Sequence, residues 1–153
     1  NSQSHSGDSI GKDVSLESYV DSRIHPVSSI KHKILTETPK KELVRFMRKS
    51  AISMLKKGIT TFVDFREGGI EGIQLLKNAI KGNPIRSIIL GRIDNYQTRT
   101  DIQKNTSMPE SYKLELKSLL RTCDGVGISG ANENSDSNLN TYSKIKKNTF
   151  LFQ

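Results

Sequence analysis

The sequence holds a single cysteine, no tryptophan and only three histidines. Cys123 alone excludes an internal disulfide and a cysteine-rich zinc site. It fits a reducing setting, so a cytoplasmic location is expected. No apolar run approaches the ~20 residues of a membrane-spanning helix, which makes a membrane an unexpected partner. The opening stretch Asn1–Asp8 is polar and lacks the apolar centre of a signal peptide. Position 1 is Asn rather than Met, so an amino terminus that was trimmed, processed or left out is expected.

What is present is enough for one ordinary domain with a core: 153 residues, 33% apolar and 26% charged. The net charge of +8 could attract nucleic acid. The cations are spread along the chain, however. Lys40, Lys41, Arg45, Arg48, Lys49, Lys56 and Lys57 interleave with the apolar positions of one segment, as on the solvated face of a helix. No aromatic platform accompanies them, so nucleic acid is not expected as a partner.

Regular structure is hard to assign before residue 35, apart from a short helix at Ser15–Val20 that His25-Pro26 would end. Thr38 is then expected as an N-cap with Pro39 first in the helix, and Gly58 marks its end. Between them Leu43, Met47, Ala51, Met54 and Leu55 recur at helical spacing, with Val44, Phe46 and Ile52 widening the stripe. Ile59–Phe65 reads as a strand, broken by Gly68-Gly69. A second helix carries Ile70, Ile73, Leu76 and Ile80 on one face and stops at Gly82. Ile85–Leu90 is a second strand. The polar residues 92 to 108 form a long connection, either functional or mobile. Pro109 opens a helix with Tyr112, Leu116, Leu119 and Leu120 in period, and Gly125–Ser129 is a short strand. Ser135 or Ser137 caps a last helix through Lys147, and Thr149–Gln153 is again strand-like. Near-continuous apolar strands alternating with helices predict an α/β fold with a parallel sheet, either an arc of a barrel or an open doubly wound sheet. Strand order separates the two, because a doubly wound sheet reverses direction. Opening in a polar turn and closing on an apolar strand is expected of a fragment, residues 1 to 153 forming one domain of a larger whole.

The segment Asn1-Ser2-Gln3-Ser4-His5 resembles the turn after the first strand of amidohydrolase-superfamily enzymes, where Asn-x-His-x-His supplies two metal ligands. Alternate side chains of an extended strand point the same way, so two imidazoles can converge on one cation. Here Gln3 stands at the first histidine position, and a neutral amide oxygen replaces imidazole poorly. Gly58-Ile59-Thr60-Thr61-Phe62-Val63-Asp64 is similar to the second-strand signature of the same superfamily, and Phe65-Arg66-Glu67-Gly68-Gly69 continues it as in a subgroup of metal-dependent hydrolases. The resemblance implies an arc of a (β/α)8 barrel, a partial TIM-type fold running from the turn after strand one to strand five.

It also implies a function. The parent protein would hydrolyse a carbon–nitrogen bond, other than a peptide bond, in a small-molecule substrate, using water activated by a divalent metal, zinc above all. His5 is the implied metal ligand. Residues at the carboxyl ends of parallel strands face the active-site mouth of such a barrel. Asp64, Arg66 and Glu67 at the end of one strand, Arg92 after the next and Glu133 in the loop Gly130–Asn134 are therefore the candidates there. An Arg–Glu ion pair stabilising the turn is the competing reading of the first group, and solvent exposure that of Glu133. His25 and His32 fit no ligand spacing, Gly68-Gly69 reads as a tight turn, and Cys123 is expected to be buried. This chain alone is expected to be inactive and to associate with itself or with the missing half of the barrel. The alternative is a truncated or degenerate module that binds or assembles without catalysis, which suits Gln3.

Overall fold

A computed structural model describes residues 30–128, 130–145 and 150–152. The expected helix at Ser15–Val20 lies outside them. Two compact units are present: one of the described residues up to Thr60 with Leu75–Ile85, the other of Thr61–Gln74 with the described residues from Arg86 onward. Among the described residues no helix is long and apolar enough to cross a membrane.

The first unit contains α1 (Ile30–Glu37) and α2 (Lys40–Lys56). Leu43, Met47 and Ala51, spaced four apart, are the buried line of α2. Phe46 and Ile52 do not widen it and stand 37% and 38% exposed. Thr38 is not the cap of α2. Its amide donates to the Ile34 carbonyl and so closes α1, a helix the sequence reading did not assign, while Pro39 takes the cap position. Pro39 has no amide to satisfy, and its carbonyl accepts from Glu42 and Leu43. Gly58 ends α2 as expected. Its φ of +83° is the left-handed conformation that lets the Ile59 amide reach back to the Met54 carbonyl. That turn consumes Ile59 and Thr60, so the first strand starts two residues later than the apolar pattern suggests.

The second unit is built on a parallel sheet of four strands: β1 (Thr61–Arg66), β2 (Arg86–Gly91), β3 (Gly125–Gly127) and β4 (Phe150–Phe152). Their order in the sheet is their order in the chain, with no reversal among the described strands. Thr61 pairs with Arg86 and Arg66 with Gly91, Leu90 pairs with Gly125, and Gly125 with Phe150. The α/β class with a parallel sheet is thus as expected. The helix α3 (Gly69–Ile80) begins in this unit and ends in the first. The long connection after β2 holds a short helix, α4 (Arg99–Gln103), whose Thr98 and Asp101 form a reciprocal capping box. Then come α5 (Glu110–Leu119), a 3-10 turn at Ala131–Glu133 and α6 (Asp136–Lys144). Ser135, not Ser137, caps α6, and the helix stops at Lys144, three residues before the expected end.

The two faces of this sheet differ. Paired residues of parallel strands point the same way, so Arg66, Gly91 and Val126 share one face, and Phe65, Leu90, Gly125 and Gly127 share the other. A Cβ on Gly91 would lie 2.5 Å from Leu119 Cδ2, which puts α5 on the first face. A Cβ on Gly127 would lie 2.8 Å from Phe65 Cδ1, so the Phe65 ring crosses β2 on the opposite face to fill the space a side chain would take. Ile73, Ile89, Leu90, Leu116, Leu119 and Val126 are all buried in this unit.

Candidate active site at the strand ends

Asp64 and Arg66 point from β1 toward the helix-covered face and are 3% and 2% exposed. Arg66 Nε donates to Asp64 Oδ2 at 3.1 Å, and the same carboxylate oxygen accepts from Nη2. Arg66 Cδ passes 3.3 Å from where a Cβ on Gly72 would stand, so the guanidinium stem lies under the first turn of α3. Arg66, one of the mouth candidates, is therefore placed beneath a helix with Asp64.

Glu67 follows on the other parity. Arg92 Nη1 donates to Glu67 Oε1 at 3.2 Å, and both side chains are less than a fifth exposed. Arg92 Cγ lies 3.2 Å from the position of a Gly127 Cβ, so Gly127 lets the guanidinium stem cross the end of β3. The structure thus joins Glu67 and Arg92 at the carboxyl ends of β1 and β2, on the face away from α5. Glu133 lies exposed in its 3-10 turn, and among the described residues no hydrogen bond or ion pair ties its side chain to them. His5, Gln3 and His25 lie outside the described residues. Among the described residues no group of three or more His, Cys, Asp or Glu side chains comes together to hold a metal ion. Cys123 is half-buried rather than buried, its thiol donating to the carbonyls of Leu119 and Gly125.

Residues that sequence reasoning passed over complete the rim. Tyr96 donates to Asp94, and burial, then the Asp94 charge, raises its pKa above the ordinary 10.0. Tyr142 on α6 is hydrogen-bonded to Asn95, and burial raises its pKa too. The charge of Arg92 acts on both phenols. Each phenol therefore stays protonated, a hydrogen-bond donor, throughout the physiological range. Because the folded pKa values are raised, their contribution to stability is complete below pH 10.0 and is lost as pH climbs through the folded values. In an ultraviolet titration of tyrosinate, Tyr96→Phe and Tyr142→Phe are each expected to remove a component that ionises above pH 10.0.

A chain of amides fixes this rim. Asn95 Nδ2 donates to Asn138 Oδ1 (3.3 Å), and Asn138 Nδ2 donates to Asn134 Oδ1 (2.8 Å). The Ser135 amide donates to Gln97 Oε1 (2.7 Å), its hydroxyl to the Thr106 carbonyl (2.6 Å), and the Ser137 amide to Asn105 Oδ1 (2.8 Å). The loops after β2 and β3 are thereby stitched to the start of α6. Asn138 is fully buried, so Asn138→Ala removes the side-chain hydrogen bonds to Asn95 and Asn134 and leaves a void in their place. It is expected to cost about 2 kcal/mol in urea unfolding, with faster hydrogen exchange at Gln97 and Ser135. The only signal in the sequence was the crowding of Asn at positions 132, 134, 138 and 140.

Two archaeal proteins are similar to this chain. One, from Methanothermobacter thermautotrophicus, bears the name "Putative aminohydrolase" and is 37% identical over 140 residues, covering 89% of this chain and 34% of the relative. The other, an uncharacterized protein of Methanocaldococcus jannaschii, is 34% identical over 148 residues, covering 96% of this chain and 35% of the relative. The chain therefore spans about a third of the length of the curated relatives it matches. No family model matches the chain. No solved structure matches it either. The likeness supports a hydrolase-like family.

Proposed function

We propose that the protein to which this chain belongs hydrolyses a carbon–nitrogen bond, other than a peptide bond, in a small molecule. The observation that carries this reading is the 37% identity, over 89% of the chain, to a relative whose name describes an aminohydrolase. Two features of the structure support it. The strands follow one another in sheet order, as in an arc of a (β/α)8 barrel and unlike a doubly wound sheet. The Glu67–Arg92 pair stands at the carboxyl ends of those strands, the end where such barrels work on their substrates.

In this reading Glu67 holds the Arg92 guanidinium in one orientation, and Arg92 offers its remaining donors to a polar or anionic substrate group. Tyr96, kept protonated by burial and by Asp94, spends its one proton on Asp94 and presents its phenol oxygen as an acceptor at the same rim. A divalent metal, zinc by the resemblance, would supply activated water. The donors of the described residues do not form its site, so that part of the reading rests on His5 and the resemblance. Gln3 favours the second reading, a non-catalytic binding or assembly module, because its amide is a weak ligand for zinc.

The test is metal analysis of the complete natural protein, followed by ammonia release from aminated heterocycles and amidines before and after chelation. Stoichiometric zinc, with activity lost on chelation and restored by zinc, is expected. A protein that binds no divalent metal and releases no ammonia would leave the non-catalytic module as the account.

A further inference from the structure

In the second unit a groove of about 650 Å³ is lined by Lys113, Lys117, Leu120, Arg121, Thr141, Lys144 and Ile145. Lys113 and Lys117 stand about one turn, ~6 Å, apart on α5, and Arg121 follows just beyond its last residue. Lys144 ends α6 on the opposite wall. Between the walls lie the half-buried apolar side chains of Leu120 and Ile145. We propose that this groove is a docking site for an acidic amphipathic protein segment, whose carboxylates lie along the cations and whose apolar residue enters between Leu120 and Ile145.

Charge is the first argument. Lys113 is tied to Glu110 at 3.1 Å, but among the described residues no ion pair neutralises Lys117, Arg121 or Lys144. Cations at the end of a helix favour its dipole, and that accounts for Lys117 or Lys144 taken singly. It does not account for cations on two helices converging on one groove, where like charges repel. The shape of the charge is the second argument. Both helices present their carboxyl ends here, so the backbone offers carbonyls rather than amide donors, and a compact anion such as phosphate finds no cradle. The ligand that fits must spread its charge along the row. The floor is the third. Its two aliphatic side chains favour a ligand with apolar groups of its own, and among the described residues no aromatic ring lines the groove on which a nucleic-acid base could stack.

The test uses the complete natural protein and a fluorescent synthetic peptide of alternating Glu and Leu, read by anisotropy. Binding that weakens with added salt is expected. The charge-reversed variant K117E/R121E should weaken it about tenfold. The neutral variant K117Q/R121Q, which relieves the repulsion and guards against misfolding, should weaken it less, and K49E/K56E on α2 should leave it unchanged. An all-Glu peptide should bind more weakly than the Glu–Leu peptide. The proposal is overturned if the Glu–Leu peptide fails to bind, if both groove variants bind it as wild type does, or if a single-stranded oligonucleotide binds the same residues more tightly.

Discussion

Asp64→Ala is expected to cost about 3–5 kcal/mol of stability, because it leaves the buried Arg66 guanidinium without its carboxylate. Both side chains are at most 4% exposed, so water does not replace the lost partner. A domain is stable by only about 5–15 kcal/mol in total, so the variant should lie near its unfolding midpoint in mild urea. The same physics separates the charge pair from its charge. Replacing both members with apolar residues, as in D64L/R66M, removes the desolvation cost together with the attraction. It is expected to recover most of the loss. Urea unfolding of the single and double variants measures both. A double variant as unstable as Asp64→Ala would mean that Arg66 acts through contacts other than the pair.

Gly72→Ala is expected to be the other large effect, and here two magnitudes oppose each other. Alanine in the body of a helix is favoured over glycine by about 1 kcal/mol. Its Cβ, however, would stand 1.9 Å from the Glu67 carbonyl oxygen and 3.0 Å from the carbonyl carbon. That neighbour is backbone, so it cannot rotate aside. The chain just after β1 would have to move, with an overpacking cost of roughly 3 kcal/mol. The clash wins, for a net loss near 2 kcal/mol. Because the displaced residue is Glu67 itself, the Arg92 pair should loosen as well, visible as an altered environment for Tyr96 in near-ultraviolet circular dichroism. Gly82→Ala provides a contrast: nothing stands within 4 Å of its added Cβ, and its φ of +78° makes the penalty one of backbone strain alone.

The alternation of helices and strands was legible because each strand is a short apolar run and each helix carries a line such as Leu43, Met47 and Ala51. Boundaries slipped where hydrogen bonds outweighed composition. Ile59 is β-branched and reads as strand, yet its amide completes the turn that ends α2. Thr38 has the side chain of a cap, yet its amide belongs to α1. The site was legible only in part. Glu67 and Arg92 could be named from their places after two strands. That they pair, while Arg66 turns under α3 with Asp64, follows from side-chain parity and from which face the helices cover. Strands that are apolar throughout do not reveal that face. Asn138 and Tyr142 were hidden for another reason. Their partners Asn95 and Arg92 lie in the loop after β2, and no local pattern connects residues 43 or more positions apart.

The measurement that bears most directly on the account is ammonia release by the complete, zinc-loaded natural protein across aminated heterocycles and amidines, with Arg92→Ala assayed alongside. The account predicts turnover of at least one substrate in the ordinary enzymatic range, on the order of 1 s⁻¹ or faster, and a clear loss of kcat/KM in the variant. Absence of ammonia release above the uncatalysed rate for every substrate, by a folded and metal-loaded protein, would contradict it.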